Sequence, residues 1–270
     1  MKGPRADTYL VELGLAESRE KARSLILAGV VFADGQRVEK AGQALGPEQT
    51  ITIKENPIPF VSRGGLKLDK ALRAYDIPIT GAVAADVGAS TGGFTDCMLK
   101  NGASYVYAID VGYGQLDWRL RNDERVCVME RRNARAMEPG WFSRPLDFAG
   151  MDVSFISIRL ILPALYACLR EGALAVSLVK PQFEAGRDKV GKNGVVRDRD
   201  THISVLRESA RAAMEIGFAI KAVDYSPITG PKGNIEFLLI LQKTALSAME
   251  WDELEARIQH VVAEAHDELD

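Results

Sequence analysis

The sequence contains little cysteine and little histidine. Its three cysteines, Cys97, Cys127 and Cys168, lie far apart among apolar residues, and it has three histidines in 270 residues. Neither residue type shows the close spacing of a metal site, and three cysteines do not form the even-numbered framework of a disulfide-rich secreted protein. We therefore expect free thiols in a reducing compartment, no metal, and no catalytic triad built on histidine.

Long apolar runs are also missing. No stretch approaches the roughly 20 apolar residues that a membrane-spanning helix needs, and the opening segment MKGPRADTYL lacks the apolar core of a secretion signal. We expect a cytoplasmic, soluble protein with no membrane partner. The composition is that of a globular chain, with 47% hydrophobic and 26% charged residues.

An excess of positive charge, which is typical of nucleic-acid-binding proteins, is absent because the formal net charge is −3. The charge is unevenly distributed, however. Residues 1–73 carry +3, residues 74–243 carry +1 and residues 244–270 carry −7. The acidic C-terminal segment alone makes the chain negative, so the net charge does not exclude a polyanion as the partner.

The N-terminal part has the pattern of a small α+β domain. Residues 5–13 and 18–28 have apolar side chains at helical spacing, and Ser18 is in position to cap the second helix. Asp34-Gly35 is typical of a hairpin turn, and the segment TITIKE alternates like a half-buried strand. We predict two short helices followed by a few short strands.

This pattern resembles the S-four (S4) domain, a small RNA-binding fold. The matching residues are Leu10, Gly14, Leu15, Ser18, Arg19, Ala22, Leu25, Ile26, Gly29, Val31, Asp34 and Gly35. In that family the second helix and the turn after it face RNA. The resemblance therefore implies that Arg5, Arg19, Lys21 and Arg23 contact phosphates, although a solvated helix face would have the same charges.

A proline-containing segment, KENPIPF, stops regular structure after the N-terminal part. We predict an S-four-like RNA-binding domain at 1–56, a linker at 57–62, a second domain at 63–243 and an acidic helix at 244–270. The C-terminal helix is amphipathic, and we expect it to pack on the sheet of the second domain or on a partner.

In the second domain, strand-like apolar runs alternate with helical patterns. The predicted strands are Val83–Val87, Tyr105–Ile109, Val126–Met129, Phe148–Val153, Ala173–Val179, Ile220–Tyr225 and Glu236–Gln242, and the clearest helices are Gly93–Lys100, Ser157–Leu169 and Thr201–Ile216. This alternation indicates an α/β fold with a mostly parallel sheet covered on both faces. Only SPITGPKGN separates the last two strands, which predicts an antiparallel hairpin at one edge. The plan resembles the class I (Rossmann-like) methyltransferase sheet.

A glycine-rich turn follows the first of these strands, and an acid ends the second. Glycines let the backbone approach a ligand, and the terminal carboxylate can accept hydrogen bonds from both hydroxyls of a ribose. The residues predicted to bind this ligand are Asp86, Gly88, Ala89, Ser90, Thr91, Gly92, Gly93 and Asp110. The spacing G-x-x-x-G-G lacks the second glycine of the dinucleotide fingerprint, which favours S-adenosylmethionine over a nicotinamide cofactor.

The same turn resembles that of the FtsJ-type RNA methyltransferases, which use a Lys-Asp-Lys-Glu tetrad in fixed chain order. Methylation of a ribose 2′-hydroxyl requires that the hydroxyl lose its proton and be held in line, and a lysine of lowered pKa can assist. The resemblance implies that the catalytic tetrad here is Lys67, Asp152, Lys180 and Glu236. Alternatives remain open: Lys70 could serve in place of Lys67, and Lys180 and Glu236 could be ordinary charges at the ends of strands.

The S-four-like module and nine motifs after it, from SRGGLKL through DVGASTGGFTD, DVSFIS and LVKPQFE to GPKGNIEF, resemble in this order the TlyA family, which is also called hemolysin A. The resemblance implies 2′-O-methylation of ribosomal RNA, at cytidine, in the small or large subunit or both. It also implies that Asn133 contacts the adenine of the cofactor and that Phe94 flanks it. Arg63 is a further candidate RNA contact. The glycine-rich, charged loop 184–200 follows Lys180 directly and could clamp RNA through Lys189 and Lys192, although a mobile surface loop would have the same composition.

Two other functions remain open from the sequence. One is a membrane-active hemolysin, which only the family's second name suggests and no strongly amphipathic basic segment supports. The other is a non-catalytic ribosome-assembly factor that binds RNA through the same fold without S-adenosylmethionine. The sequence does not give the oligomeric state.

Overall fold

The protein is described here by a computed structural model that covers residues 3–27, 29–53, 58–191, 193–230, 232–244 and 249–269. The chain divides into two compact units, Met1–Pro59 and Phe60–Asp270. We call them the N-terminal unit and the C-terminal unit. Each has its own hydrophobic core.

The N-terminal unit contains two helices and a three-stranded antiparallel sheet. Its elements are α1 (Ala6–Glu12), α2 (Arg19–Leu27), β1 (Val31–Ala33), β2 (Gln36–Arg37) and β3 (Ile51–Ile53), with the strand order β2-β1-β3. The Ser18 hydroxyl accepts a hydrogen bond from the Lys21 N–H at 3.2 Å, which confirms the predicted cap. Asp34 and Gly35 have φ angles of 51° and 78°, as a tight hairpin turn requires.

The C-terminal unit is a seven-stranded sheet with helices around it. In chain order its elements are α3 (Gly64–Ala74), β4 (Val83–Val87), α4 (Gly93–Lys100), β5 (Tyr105–Ile109), α5 (Trp118–Arg121), β6 (Val126–Met129), β7 (Leu146–Met151), α6 (Leu162–Cys168), β8 (Leu169–Val179), α7 (Pro181–Glu184), α8 (Arg199–Ile216), β9 (Phe218–Tyr225), β10 (Phe237–Lys243) and α9 (Trp251–Leu269). Short 3-10 turns precede β7 and flank α6 and α7. The predicted α/β class is confirmed.

The strand order of this sheet is β6-β5-β4-β7-β8-β10-β9. The strands from β6 to β8 are parallel, and β10 runs antiparallel to both β8 and β9. The predicted antiparallel hairpin is therefore present, with β9 at the edge and β10 inserted next to β8. Because β10 is antiparallel, its beginning lies at the same edge of the sheet as the ends of β7 and β8.

Several predicted boundaries were wrong by a few residues. Strand β7 ends at Met151 rather than Val153, and β10 begins at Phe237 rather than Glu236. The predicted helix 157–169 is a 3-10 turn followed by a separate helix with Pro163 in its first turn, where the missing N–H of proline costs no hydrogen bond. These shifts place Asp152 and Glu236 just outside the strands, in loops at the edge of the sheet.

The acidic C-terminal helix is part of the C-terminal unit. Its buried face consists of Leu254, Ile258, Val261, Val262 and Ala265. The helix packs against α8 and β9, so its apolar stripe joins the main core while its acids remain outside.

The three cysteines are free. Burial raises the pKa of the Cys168 thiol to about 11 and also raises that of Cys97. Both are therefore protonated at neutral pH and have no nucleophilic role.

Candidate active site

The glycine-rich turn connects β4 to α4 at the carboxyl edge of the sheet. Gly88 and Gly92 have φ angles of 89° and 97°, a region that favours glycine. A Cβ atom on Gly88 would lie 2.6 Å from the carbonyl oxygen of Asp152, so any larger residue would push the turn away from the end of β7. The turn and the β7 loop are therefore held in close contact.

Asp110, directly after β5, fixes this turn through both carboxylate oxygens. Oδ2 accepts a hydrogen bond from the Ser90 N–H at 2.8 Å, and Oδ1 accepts one from the Gly112 N–H at 2.6 Å. The side chain is half-buried, and each oxygen keeps a further lone pair for a ligand hydroxyl. The geometry suits recognition of a ribose.

Asp86 supplies a second acid beneath the turn. Its Oδ2 accepts hydrogen bonds from the Thr95 N–H at 2.8 Å and the Thr95 hydroxyl at 2.6 Å, whereas its Oδ1 is buried without a hydrogen-bond partner in the part of the chain that is described. Burial raises the pKa of Asp86 to about 7 against the effect of the Thr95 hydrogen bonds, and the nearby carboxylates of Asp152 and Asp110 raise it further.

Two carboxylates, those of Asp86 and Asp110, thus lie at a turn, DVGASTGGFT, that contains no lysine or arginine. A pyrophosphate would be repelled by these charges, whereas a cationic ligand would be attracted. S-adenosylmethionine carries an ammonium, a sulfonium and a ribose with two free hydroxyls. The residues present therefore fit S-adenosylmethionine better than a dinucleotide.

The remaining residues predicted to bind the cofactor differ from one another in exposure and in the groups they contact. Ala89 is buried in the turn, Thr91 is exposed and accepts a hydrogen bond from the Asp117 N–H at 3.1 Å, and Gly93 begins α4. Phe94 is only 3% exposed, because its ring packs into the core against β7. Asn133 is exposed, and its side-chain oxygen caps a 3-10 turn through the Arg135 N–H at 3.1 Å.

The four tetrad residues come together beside this turn. Lys67 Nζ lies 2.6 Å from Glu236 Oε2 and 3.5 Å from Asp152 Oδ2, and Lys180 Nζ lies 2.5 Å from Asp152 Oδ1. The result is a continuous row of alternating charges. Both lysines are 7% exposed and Glu236 is 1% exposed.

The fold explains this convergence. Asp152 follows β7, Lys180 follows β8 and Glu236 precedes β10, and Phe237 pairs with Val179 across the antiparallel ladder. Helix α3 supplies Lys67 from the adjacent layer. All four side chains therefore reach the carboxyl edge of the sheet, where ligands bind in open α/β folds.

Lys70, the alternative to Lys67, is engaged elsewhere. Its Nζ donates hydrogen bonds to Asp224 Oδ1 and to the Tyr225 carbonyl oxygen, both at 2.8 Å. It also lies 3.5 Å from the centre of the Tyr225 ring. Lys70 thus joins α3 to β9, and Lys67 is the lysine that meets Asp152.

The two tetrad lysines have different environments. Burial lowers the pKa of Lys67, but the carboxylates of Asp152 and Glu236 outweigh burial and raise it above its ordinary value. Lys67 therefore remains an ammonium at neutral pH. Lys180, in contrast, pairs with Asp152 alone among the tetrad acids, and it also donates a hydrogen bond to Ser154 Oγ at 3.0 Å.

Two residues beside the tetrad were missed by the sequence analysis. Ser154 is the hydroxyl partner of Lys180, and Phe155, the next residue, is 90% exposed with a φ angle of 64°. The Phe155 ring centre lies 5.1 Å from that of Phe183. A bulky residue in the left-handed region is uncommon and strained. The sequence signal for Phe155 was weak, because the segment DVSFIS mixes polar and apolar residues.

The predicted RNA contacts are mostly exposed. Arg63 directly precedes α3 and donates to the Thr229 carbonyl oxygen at 3.4 Å, and Lys189 lies in the exposed turn Arg187–Lys189. Lys21 is exposed on α2, whereas Arg5, Arg19 and Arg23 all pair with Asp7. Lys192 lies outside the described residues.

No helix in the described ranges has the length and apolar character needed to cross a membrane. The same residues contain no group of three or more side chains that could hold a metal ion.

Residues 60–243 match the model of the FtsJ-like methyltransferase family, and residues 4–51 match that of the S4 domain. YqxC of Bacillus subtilis, which is provisionally named an rRNA methyltransferase, is 50% identical over 99% of this chain and 96% of its own. The 16S/23S rRNA (cytidine-2′-O)-methyltransferase TlyA of Mycobacterium tuberculosis is 43% identical over 96% of this chain and 97% of its own. A solved structure from Streptococcus thermophilus, provisionally named a hemolysin, is 46% identical with a TM-score of 0.79, covering 99% of this chain and 97% of that one.

Proposed function

The chain belongs to the FtsJ-like methyltransferase family, and from this premise we propose that it methylates a ribose 2′-hydroxyl of ribosomal RNA, at cytidine, with S-adenosylmethionine as the donor. The observation that carries the proposal is the buried row of Lys67, Glu236, Asp152 and Lys180 beside an acidic glycine turn. The S4 match and the name of the TlyA relative support ribosomal RNA as the substrate.

Each tetrad residue has a distinct part in the proposed reaction. When bound, S-adenosylmethionine would supply a methyl group on a sulfonium, and the 2′-oxygen would bond to the methyl carbon in line as the carbon–sulfur bond breaks and the sulfur leaves as a neutral thioether. Lys180 Nζ, in its neutral form, accepts the hydroxyl proton and holds the oxygen in position. Asp152 orients Lys180, and Lys67 keeps Asp152 and Glu236 paired so that neither carboxylate is buried as an isolated charge.

Asp86 and Asp110 are proposed to hold the cofactor. Asp110 accepts hydrogen bonds from the ribose hydroxyls while it retains the backbone of Ser90 and Gly112. The free Oδ1 of Asp86 faces no partner in the described chain and can be satisfied by a cationic group of the cofactor. No metal is assigned a part in this reaction.

Cofactor binding should depend on pH through Asp86. The pKa of Asp86 is about 7 without ligand, and a cationic ligand lowers it because it favours the ionised form. Binding should therefore release a proton near neutral pH, and affinity should rise as the pH increases from about 6 to about 8. Calorimetry in buffers of different ionisation enthalpy measures the released proton. Affinity that is flat or falls over this range would contradict the assignment.

Phe155 is proposed to stack on the base of the target nucleotide. An exposed aromatic ring next to Lys180 offers a flat apolar surface, and stacking on such a ring contributes about 1–3 kcal/mol per base. Phe155→Ala should therefore weaken the productive RNA complex by about tenfold or more while leaving cofactor affinity unchanged. Phe155→Trp, which keeps an aromatic surface, is the matched control and should retain activity. Equal activity of the alanine and tryptophan variants would rule out stacking.

Mapping of ribose methylation tests the proposed function in the cell. Ribosomal RNA from cells with and without the gene is compared at every 2′-position. We expect at least one cytidine methylation to disappear with the gene and to return with the wild-type gene. An identical methylation map in both strains would overturn the proposal.

A further inference from the structure

Asp7, in the first turn of α1, is a buried acid surrounded by arginines. Its side chain is 0% exposed. Arg5 donates from Nε to Oδ1 at 3.0 Å and from Nη2 to Oδ2 at 3.2 Å, Arg19 donates from Nη2 to Oδ2 at 3.1 Å, and Arg23 donates from Nε to Oδ2 at 3.0 Å. A single carboxylate therefore fixes three guanidinium groups, two from α2 and one from the residue that precedes α1.

The three arginines remain accessible in this arrangement. Each side chain is 53% exposed, and each guanidinium keeps N–H groups that Asp7 does not use. Arg19 and Arg23 are four positions apart on α2 and so lie on one face. Their planar forks match phosphate oxygens.

Neutralising one buried acid does not require three arginines. A buried carboxylate needs a partner, and Arg5 alone pairs with both of its oxygens. The other two leave a local excess of positive charge on the surface. The hydrogen bonds from Arg5, and after it from Arg23 and Arg19, outweigh burial and hold the pKa of Asp7 well below its usual range, so the carboxylate stays charged at neutral pH.

We propose that Asp7 is a positioning residue that orders Arg5, Arg19 and Arg23 into a cradle for phosphates of an RNA backbone. The inference rests on the proposed function in one respect, that RNA is the substrate. Under this proposal a negatively charged residue, Asp7, strengthens the binding of the negatively charged RNA backbone. Without Asp7 the three guanidinium groups repel one another and lose their common orientation.

The substitution Asp7→Asn separates orientation from total charge. If the arginines act only through charge, removal of an acid tightens RNA binding and steepens its salt dependence. If Asp7 orders them, binding weakens by about tenfold and the salt dependence becomes shallower, because fewer phosphates are engaged. Glu12→Gln is the matched control: it lies exposed on the same helix and changes the net charge equally. Binding of the full chain to a fluorescently labelled RNA hairpin is measured by anisotropy over a series of salt concentrations.

A second variant tests the proposal in case Asp7→Asn does not fold, a defect that circular dichroism detects. Arg23→Lys keeps the charge but loses the fork, and Arg5 and Arg19 still pair with Asp7. We expect it to bind the hairpin about fivefold more weakly than the wild type. Wild-type affinity of Arg23→Lys, or tighter binding by a folded Asp7→Asn, overturns the cradle. Hairpin binding does not require methyl transfer. If Asp7→Asn and Arg23→Lys bind the hairpin more weakly but the wild type methylates no rRNA, the proposed function is wrong and the cradle still holds.

Discussion

Replacing Lys180 with methionine should slow methyl transfer by about 10² to 10⁴-fold without loss of cofactor binding. Lys180 Nζ lies 2.5 Å from Asp152 Oδ1 and 3.0 Å from Ser154 Oγ, beside the glycine turn. Methionine has a similar length but can neither accept a proton nor hold the 2′-oxygen. Asp152 keeps Lys67 as its partner in this variant, so the site should remain folded.

Single-turnover transfer of a radiolabelled methyl group to ribosomal RNA measures this rate, and calorimetry measures cofactor affinity. Lys221→Met is the matched control, because Lys221 is exposed on β9, the strand at the edge of the sheet. It should transfer the methyl group at the wild-type rate. A Lys180→Met rate within about fivefold of the wild type would exclude Lys180 as the proton acceptor.

Asp152→Ala should have the largest effect on stability, lowering the free energy of unfolding of the C-terminal unit by about 3 kcal/mol or more. Asp152 is the only acid that both tetrad lysines contact among the described residues. Without Asp152, Lys180 loses its carboxylate partner and keeps the hydrogen bond to Ser154. Water cannot compensate well, because both lysine side chains are only 9% exposed. Methyl transfer should be lost as well, because Lys180 is no longer oriented.

Tryptophan fluorescence during chemical denaturation reports this effect selectively. All three tryptophans, Trp118, Trp141 and Trp251, belong to the C-terminal unit. Asp123→Asn is the control, since Asp123 forms an exposed pair with Arg125 and exposed pairs contribute about 0–1 kcal/mol. An unfolding midpoint of Asp152→Ala equal to that of the wild type would show that the lysines do not depend on a shared carboxylate.

The fold of the C-terminal unit could be predicted well because its signals are local. Strands β4, β5 and β6 and helix α4 have the predicted limits, since each is a short apolar or amphipathic segment bounded by polar or glycine residues. The ends of β7 and the start of β10 could not be predicted. An apolar–polar–apolar alternation, which is compatible with a strand, runs from Met151 through Asp152 to Val153, and only the pairing with neighbouring strands decides where the ladder stops.

The site was less predictable where it depends on three-dimensional packing. Lys67 and Lys70 are three positions apart on α3, and the sequence alone did not separate them. In the structure Lys67 pairs with Asp152 and Glu236, whereas Lys70 pairs with Asp224. Likewise, the arginines of the N-terminal unit were visible as positive charges, but the buried carboxylate that orders them was not.

We propose that this site transfers a methyl group from S-adenosylmethionine to a ribose 2′-oxygen of ribosomal RNA, with Lys180 as the proton acceptor. Isolated ribosomal subunits are incubated with S-adenosylmethionine that carries a trideuterated methyl group, and the RNA is digested to nucleosides for mass spectrometry. We expect label in 2′-O-methylcytidine with the wild-type protein and at least about 100-fold less with Lys180→Met in the same time. Label on a base, no label with the wild type, or equal label with the variant would contradict it.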